Sequence, residues 1–345
     1  MDRCFRCLLA ALATLAAAPV PIVRATAAPP AAPAFIIVNG AAGEEAYADV
    51  FARQVTAWEK TATAAGARAI IIGREATPVP SDRTRLEQAL ADEPRDGTAP
   101  LWLVLIGHGT FDTRTARFNL RGEDLSAPDL AAWLQPIRRP LAVINTTSAS
   151  APFLNALSAP GRVIITATRS GNEQNYSRFG ASLASALDNP ETDLDQDGQI
   201  SLLEAFLSAA TKVTEFYQSE GRLATEHALI DDNGDTLGTP ATWFRGLRAT
   251  RKPNHAAAVD GPRAHQWLLT PDAAAADQSP EWLARRDSLE TTLATLRDRK
   301  ESMPEADYLQ QLESTLLDLA HHYEAGPGLP DDPAPPSTPA PPMRQ

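Results

Sequence analysis

Five continuous apolar runs, at 35–38, 69–72, 101–106, 141–144 and 163–166, punctuate the first half of the chain. None alternates apolar with polar residues, so each predicts a strand buried on both faces, as in a parallel sheet. Between the first two, Phe51, Val55, Trp58 and Ala62 recur at helical spacing and predict an amphipathic helix. Strand and helix alternating in this way predict an α/β fold. It takes the form of a three-layer α/β/α sandwich around a mostly parallel sheet, spanning 34–250.

The pattern changes after Arg251. Residues 251–280 carry few strand signals and read as a linker, with Asp260-Gly261 as a turn. Residues 281–325 predict a helical hairpin. Trp282, Leu289, Leu293 and Leu296 line its first helix; Leu309, Leu312, Leu316, Leu319 and Tyr323 line the second, which Pro304 opens. Two such helices can satisfy each other or dock a partner as a coiled coil. Residues 326–345 are proline-rich and predict a disordered tail.

At the other end, Arg3 and Arg6 precede an apolar stretch from Leu8 to Ala18, and Ala25-Thr26-Ala27 offers a cleavage site. This predicts a secretory signal over 1–27 and a Pro/Ala linker over 28–33. Pro19 and Pro21 break the apolar stretch, which is too short to cross a bilayer, so no integral membrane span is expected after cleavage. The expected location is periplasmic or secreted. Both cysteines, Cys4 and Cys7, leave with the signal. The exported protein would then have no disulfide, no thiolate metal site and no thiol nucleophile. A net charge of −12 over 345 residues repels phosphate backbones and anionic lipid. Nucleic acid is therefore not an expected partner, whereas divalent cations are attracted.

One cation has a specific place to go. Residues 193–204 match a twelve-residue EF-hand loop at its diagnostic positions. Asp193, Asp195 and Asp197 present carboxylate oxygens, and Gly198 permits the sharp turn. Gln199 offers its carbonyl, Ser201 reaches the ion directly or through water, and Glu204 closes the shell with both oxygens. This oxygen-rich set predicts calcium. Ile200 is expected to anchor the loop on the core, and a helix is expected from Ser201 to about Gln218. Pro190 interrupts the helix before the loop. Asp231-Asp232-Asn233-Gly234-Asp235 looks like a second loop, but Thr236 and Thr242 occupy the positions for Gly and the closing acid, so a turn is expected there.

Two loops at strand ends carry the remaining chemistry. The third strand runs into Gly107-His108-Gly109 and the fourth into Asn145-Thr146-Thr147-Ser148. In an open parallel sheet such loops form the functional crevice. Ile106-Gly107-His108-Gly109, Phe118-Asn119-Leu120 with Asp124-Leu125, and Ile165-Thr166-Ala167-Thr168-Arg169-Ser170-Gly171 together resemble the legumain-type cysteine peptidases. The resemblance covers roughly 35–246 and implies the caspase–haemoglobinase version of the sandwich. It implies that His108 is the catalytic histidine and that the Gly109 amide serves the oxyanion. Thr147 falls where that family has its nucleophilic Cys, and the acidic residue, Ser and Gly around it are also replaced.

A cysteine needs little activation, whereas a hydroxyl needs a base in contact and a third group orienting that base. The expected function is therefore that of an exported, calcium-binding pseudopeptidase that binds a peptide or protein in the cell envelope, or acts there as a scaffold. Two alternatives are an active hydrolase using Thr147 or Ser148 with His108, and an assembly protein acting through the helical hairpin.

Overall fold

A computed structural model describes residues 32–75, 79–256, 258–270 and 279–326. The expected signal peptide, and the expected tail beyond Gly326, lie outside these residues. The chain begins β1 (Ala34–Asn39), α1 (Glu45–Ala64), β2 (Arg68–Ile72), α2 (Asp82–Asp92) and β3 (Leu101–Ile106). A small antiparallel sheet of β4 (Gly109–Phe111), β5 (Ala116–Phe118) and β6 (Leu125–Ser126) follows. Then come α3 (Ala127–Leu134), β7 (Leu141–Asn145), α4 (Ala151–Leu157), β8 (Arg162–Thr166) and α5 (Phe179–Ala186). The last third holds β9 (Ile200–Ser201), α6 (Leu202–Ser219), β10 (Leu229–Asp231), β11 (Thr239–Pro240), β12 (Phe244–Arg245) and β13 (Arg248–Ala249). It ends in α7 (Pro262–His265), β14 (Leu268–Thr270), α8 (Pro280–Asp298) and α9 (Glu305–Ala325).

The main sheet runs in the order β11-β10-β8-β7-β3-β1-β2. Its members from β2 to β8 are parallel; β10 and β11 join antiparallel at one edge. Alternate residues of β1 point to opposite layers. Phe35 and Ile37 enter a core with Trp58, Phe179 and Phe206 from α1, α5 and α6; Ile36 and Val38 enter a second core with Leu86, Leu130 and Leu154 from α2, α3 and α4. Fully burying a side chain of this size contributes about 1.5–3 kcal/mol, so two filled layers fix the register of every central strand. The expected α/β/α sandwich with a mostly parallel sheet is present. At the edge, β2 is only partly buried, which its unpaired side explains.

Two parts differ from expectation. The stretch 251–280, read as a linker, contributes to the core through Ala264 and Leu269, and Trp267 meets Trp102 edge-on at 5.0 Å. Its strand signal was hidden because β14 is three residues long and pairs with β9, not with the main sheet. In the C-terminal pair, Leu289 and Leu296 of α8 and Leu319 of α9 are buried as expected, but α9 also turns Tyr308 and Thr315 inward. Leu309, Leu316 and Tyr323 are 43–53% exposed. Tyr308 and Thr315 are seven residues apart, as are Leu309, Leu316 and Tyr323 in turn, so spacing alone did not select between the two stripes. The contact that selects is Trp282, whose ring stacks on His322 at 4.5 Å while its carbonyl accepts from His322 Nε2 at 3.0 Å.

The acidic segment after β10 forms a turn: Asp231 accepts from the Gly234 amide at 2.9 Å, and Asn233 accepts from the Asp235 amide at 2.9 Å. It is clasped to α7 by two buried aspartates. Asp232 accepts from the amides of Gly261 (3.0 Å) and Ala264 (2.8 Å), while Asp260 accepts from the Asp232 amide (3.0 Å) and the Thr239 hydroxyl (2.5 Å). Burial and the neighbouring Asp232 charge push the Asp260 carboxyl up to about 8. The folded state therefore holds a proton that the unfolded chain releases near pH 4. Stability from this group is full below that pH and is lost as pH rises towards 8. Asp260→Asn mimics the protonated form. Its melting temperature should fall less than that of the wild type between pH 5 and pH 8; parallel slopes would remove Asp260 from this role.

Candidate functional site

β3 and β7 are neighbours, with Leu105 paired to Asn145, so the loops carrying His108 and Thr147 leave the same end of the sheet. Their approach is very close. A Cβ on Gly109 would lie 2.1 Å from the Ser148 carbonyl oxygen and 2.8 Å from Thr147 Oγ1, which is why only glycine fits there. Ala149 adopts a φ of 53° as the loop turns away, and its amide donates to the Glu173 carbonyl at 2.8 Å.

This closeness uses up the hydroxyls. Thr147 is fully buried; its Oγ1 donates to Asn145 Oδ1 at 2.7 Å, and the Ser148 carbonyl oxygen lies 3.1 Å away. Ser148 Oγ donates to the Gly109 carbonyl at 3.1 Å and accepts from the Gly109 amide at 3.2 Å. The amide expected to face an oxyanion is thus engaged by Ser148. Asn145 Nδ2 is buried without a partner.

His108 is held elsewhere. Its Nε2–H donates to the Ala42 carbonyl at 3.1 Å, and its ring meets Tyr47 edge-on at 4.8 Å and Phe51 at 5.2 Å. Tyr176 closes a third side at 6.0 Å, and burial raises its phenol above the usual range. Among the described residues neither the Thr147 nor the Ser148 hydroxyl bonds to His108. The strands bring the three residues to one crevice, but they do not form a nucleophile–base pair.

A second histidine, not anticipated from sequence, has the carboxylate partner that His108 lacks. His227 Nδ1 and Glu173 Oε1 are 2.6 Å apart, and Arg169 pairs with the same carboxylate at 3.3 Å. Beside it, buried Glu226 accepts from the Ser177 hydroxyl and from the Arg178 and Phe179 amides at the start of α5. Arg169, Glu226 and His227 line a cleft of about 920 Å³ whose other wall includes Leu207, Trp243 and Phe244. Glu173 and His227 are 54 residues apart, and no local spacing signals such a pair.

The acidic loop 193–204 folds as a compact turn. Asp193 accepts from the amides of Asp197 (3.2 Å) and Gly198 (3.0 Å), and Gly198 takes a φ of 86°. Gln199 donates its amide to Asp197 at 2.8 Å. One carboxylate oxygen from each of Asp193, Asp195 and Asp197 lies within 4.8 Å of the others. Burial, reinforced by the charges of Asp197 and Glu204, raises the Asp195 carboxyl above its ordinary value. Glu204 stands apart from that trio. Its Oε2 accepts from the Ser201 amide (2.8 Å) and hydroxyl (2.7 Å), closing a capping box on α6, and its Oε1 accepts from the Leu194 amide at 2.7 Å. Ile200, buried as expected, pairs through β9 with β14.

No family model and no curated protein matches the chain. Among solved structures it is similar to the Drosophila initiator caspase Dronc, at 11% identity and a TM-score of 0.37, over 58% of this chain and 79% of that one. It is also similar to protein GSU0716 from Geobacter sulfurreducens, at 12% identity and a TM-score of 0.36, over 53% of this chain and 89% of that one. Neither likeness assigns chemistry to the crevice.

The Gly109 approach gives a direct check on this geometry. Gly109→Ala should destabilise the fold by about 1–3 kcal/mol or more, because the new methyl meets backbone oxygen. Chemical denaturation measures it; an unchanged midpoint would mean that the loops do not approach as described.

Proposed function

We propose that the protein is an exported pseudopeptidase of the legumain type that binds calcium and holds a peptide or protein ligand in the cell envelope. One observation carries the loss of catalysis: the Thr147 hydroxyl donates to Asn145, and the His108 Nε2–H donates to a backbone carbonyl. Hydroxyl nucleophiles depend on a base in contact that is itself oriented by a third group. Among the described residues, His108 hydrogen-bonds to no hydroxyl and has no acid among its bonded partners. The ligand would lie in the 920 Å³ cleft, which falls in the size range of binding pockets. Its apolar wall suits side chains, while Arg169 and His227 suit the polar backbone of an extended peptide.

Calcium fits the acidic loop on electrostatic grounds. Three carboxylates gathered within 4.8 Å repel one another, and a divalent cation offsets that repulsion. Asp193, Asp195 and Asp197 would hold it with the Gln199 carbonyl and Ser201, and Glu204 would join only by exchanging its capping bonds. The ion would supply charge and rigidity and no chemical step. Paired sensing hands share a β bridge; here β14 takes the second hand's place, which favours a stabilising role over a switch.

Two outcomes are expected. Incubated with a peptide library and calcium, the mature protein should retain peptides without cleaving them; cleavage that disappears in His108→Ala would overturn the reading. Calcium at a hundredfold excess over its Kd should stabilise the fold by about 2.7 kcal/mol. Asp195→Asn should remove most of the resulting melting shift and, unlike Glu204→Ala, leaves the α6 cap intact. Equal shifts in wild type and Asp195→Asn would refute calcium in this loop.

A further inference from the structure

A second cleft, of about 730 Å³, opens between the β12–β13 hairpin, residues 250–252 and α8. Its lining is cationic although the chain carries a net charge of −12. Arg245, Arg248, Arg251 and Arg297 face it, with Lys252 and Lys300. Most of the acids there are already engaged. Asp260 is held in the aspartate clasp, Glu290 accepts from the Tyr323 hydroxyl at 2.9 Å, and Asp298 pairs with Lys252 at 2.9 Å; Glu301 is exposed. Lys300 directs its ammonium over the Tyr308 ring at 5.5 Å. Among the described residues, no carboxylate lies within ion-pairing distance of Arg245, Arg248, Arg251 or Arg297.

The hairpin makes this arrangement informative. β12 and β13 place Arg245 directly opposite Arg248. Like charges in that position repel and weaken a strand pair. Arg297 sits in the last turn of α8, where a cation balances the helix dipole. The hairpin arginines have no such local compensation. A bound anion would offset their repulsion, and two guanidinium forks match phosphate or carboxylate groups through paired N–H donors.

We propose that this cleft is a binding site for a small, multiply charged anion, a phosphate-bearing or polycarboxylate molecule. Arg245 and Arg248 clamp its charged groups, Arg251 and Arg297 flank them, and Leu247, Val259 and Leu293 line the apolar part of the cleft. The volume suits a small molecule. The site is separate from the 920 Å³ cleft and does not depend on the calcium reading.

Calorimetric titration of the calcium-free full chain with inorganic tripolyphosphate, and separately with citrate, tests the proposal. Saturable one-to-one binding is expected for at least one of them, and the stronger ligand identifies phosphate or carboxylate as the natural group. Arg245→Gln with Arg248→Gln should weaken binding about tenfold or more, as the loss of charge-assisted hydrogen bonds implies. The same double substitution should leave stability without ligand equal or higher, because it removes the repulsion. Arg114→Gln with Arg222→Gln changes net charge equally, away from the cleft, and should leave binding within about twofold. Equal weakening in both pairs would reduce the effect to diffuse attraction and overturn the site. So would the absence of saturable binding, or binding confined to a poly-glutamate peptide.

Discussion

The bond from the Thr147 hydroxyl to Asn145 Oδ1 sits where β7 leaves the sheet, and the arrangement of the crevice follows from it. It turns the threonine inward, so the loop presents backbone to Gly109. Ser148 then bridges both polar groups of Gly109, and the 147–150 loop closes on β4. A sulfur at 147 would form a much weaker bond of this kind. The Thr147 hydroxyl therefore acts as a fastening that ties the start of the 147–150 loop to the end of β7.

The rest of the molecule shows the same preference for tying loops down. A carbonyl holds His108, two aspartates clasp the β10–β11 turn to α7, and β14 braces the acidic loop through β9. The acidic loop and the 920 Å³ cleft are also adjacent, since Leu194 and α6 belong to both. Stiffening the loop thus stiffens one wall of the cleft. Such bracing reduces the ordering cost of any ligand that enters the cleft.

Much of the fold was legible because each central strand is a run buried on both faces, a pattern that few other environments tolerate. The same runs put the His108 and Thr147 loops at strand ends, but that β3 and β7 are neighbours is seen only in the pairing of the folded sheet. Elements that pair over only two or three residues were not legible: β10, β11 and β14 carry too few side chains for a period to form. On α9, Leu309 and Tyr308 begin two seven-residue stripes, and only contact with α8 decides which is inward. The Glu173–His227 pair is a product of tertiary folding alone. The two roles open to Glu204, closing a metal shell or capping a helix, draw on the same sequence pattern, Ser followed three residues later by Glu.

The claim on which the account depends is that neither hydroxyl at the end of β7 can be activated. A fluorophosphonate reagent, which bonds covalently to activated serine or threonine, tests it without knowledge of any substrate. After incubation of the intact mature protein with calcium, mass spectrometry should find no adduct on Thr147 or Ser148. An adduct on either residue that disappears in His108→Ala would contradict the account.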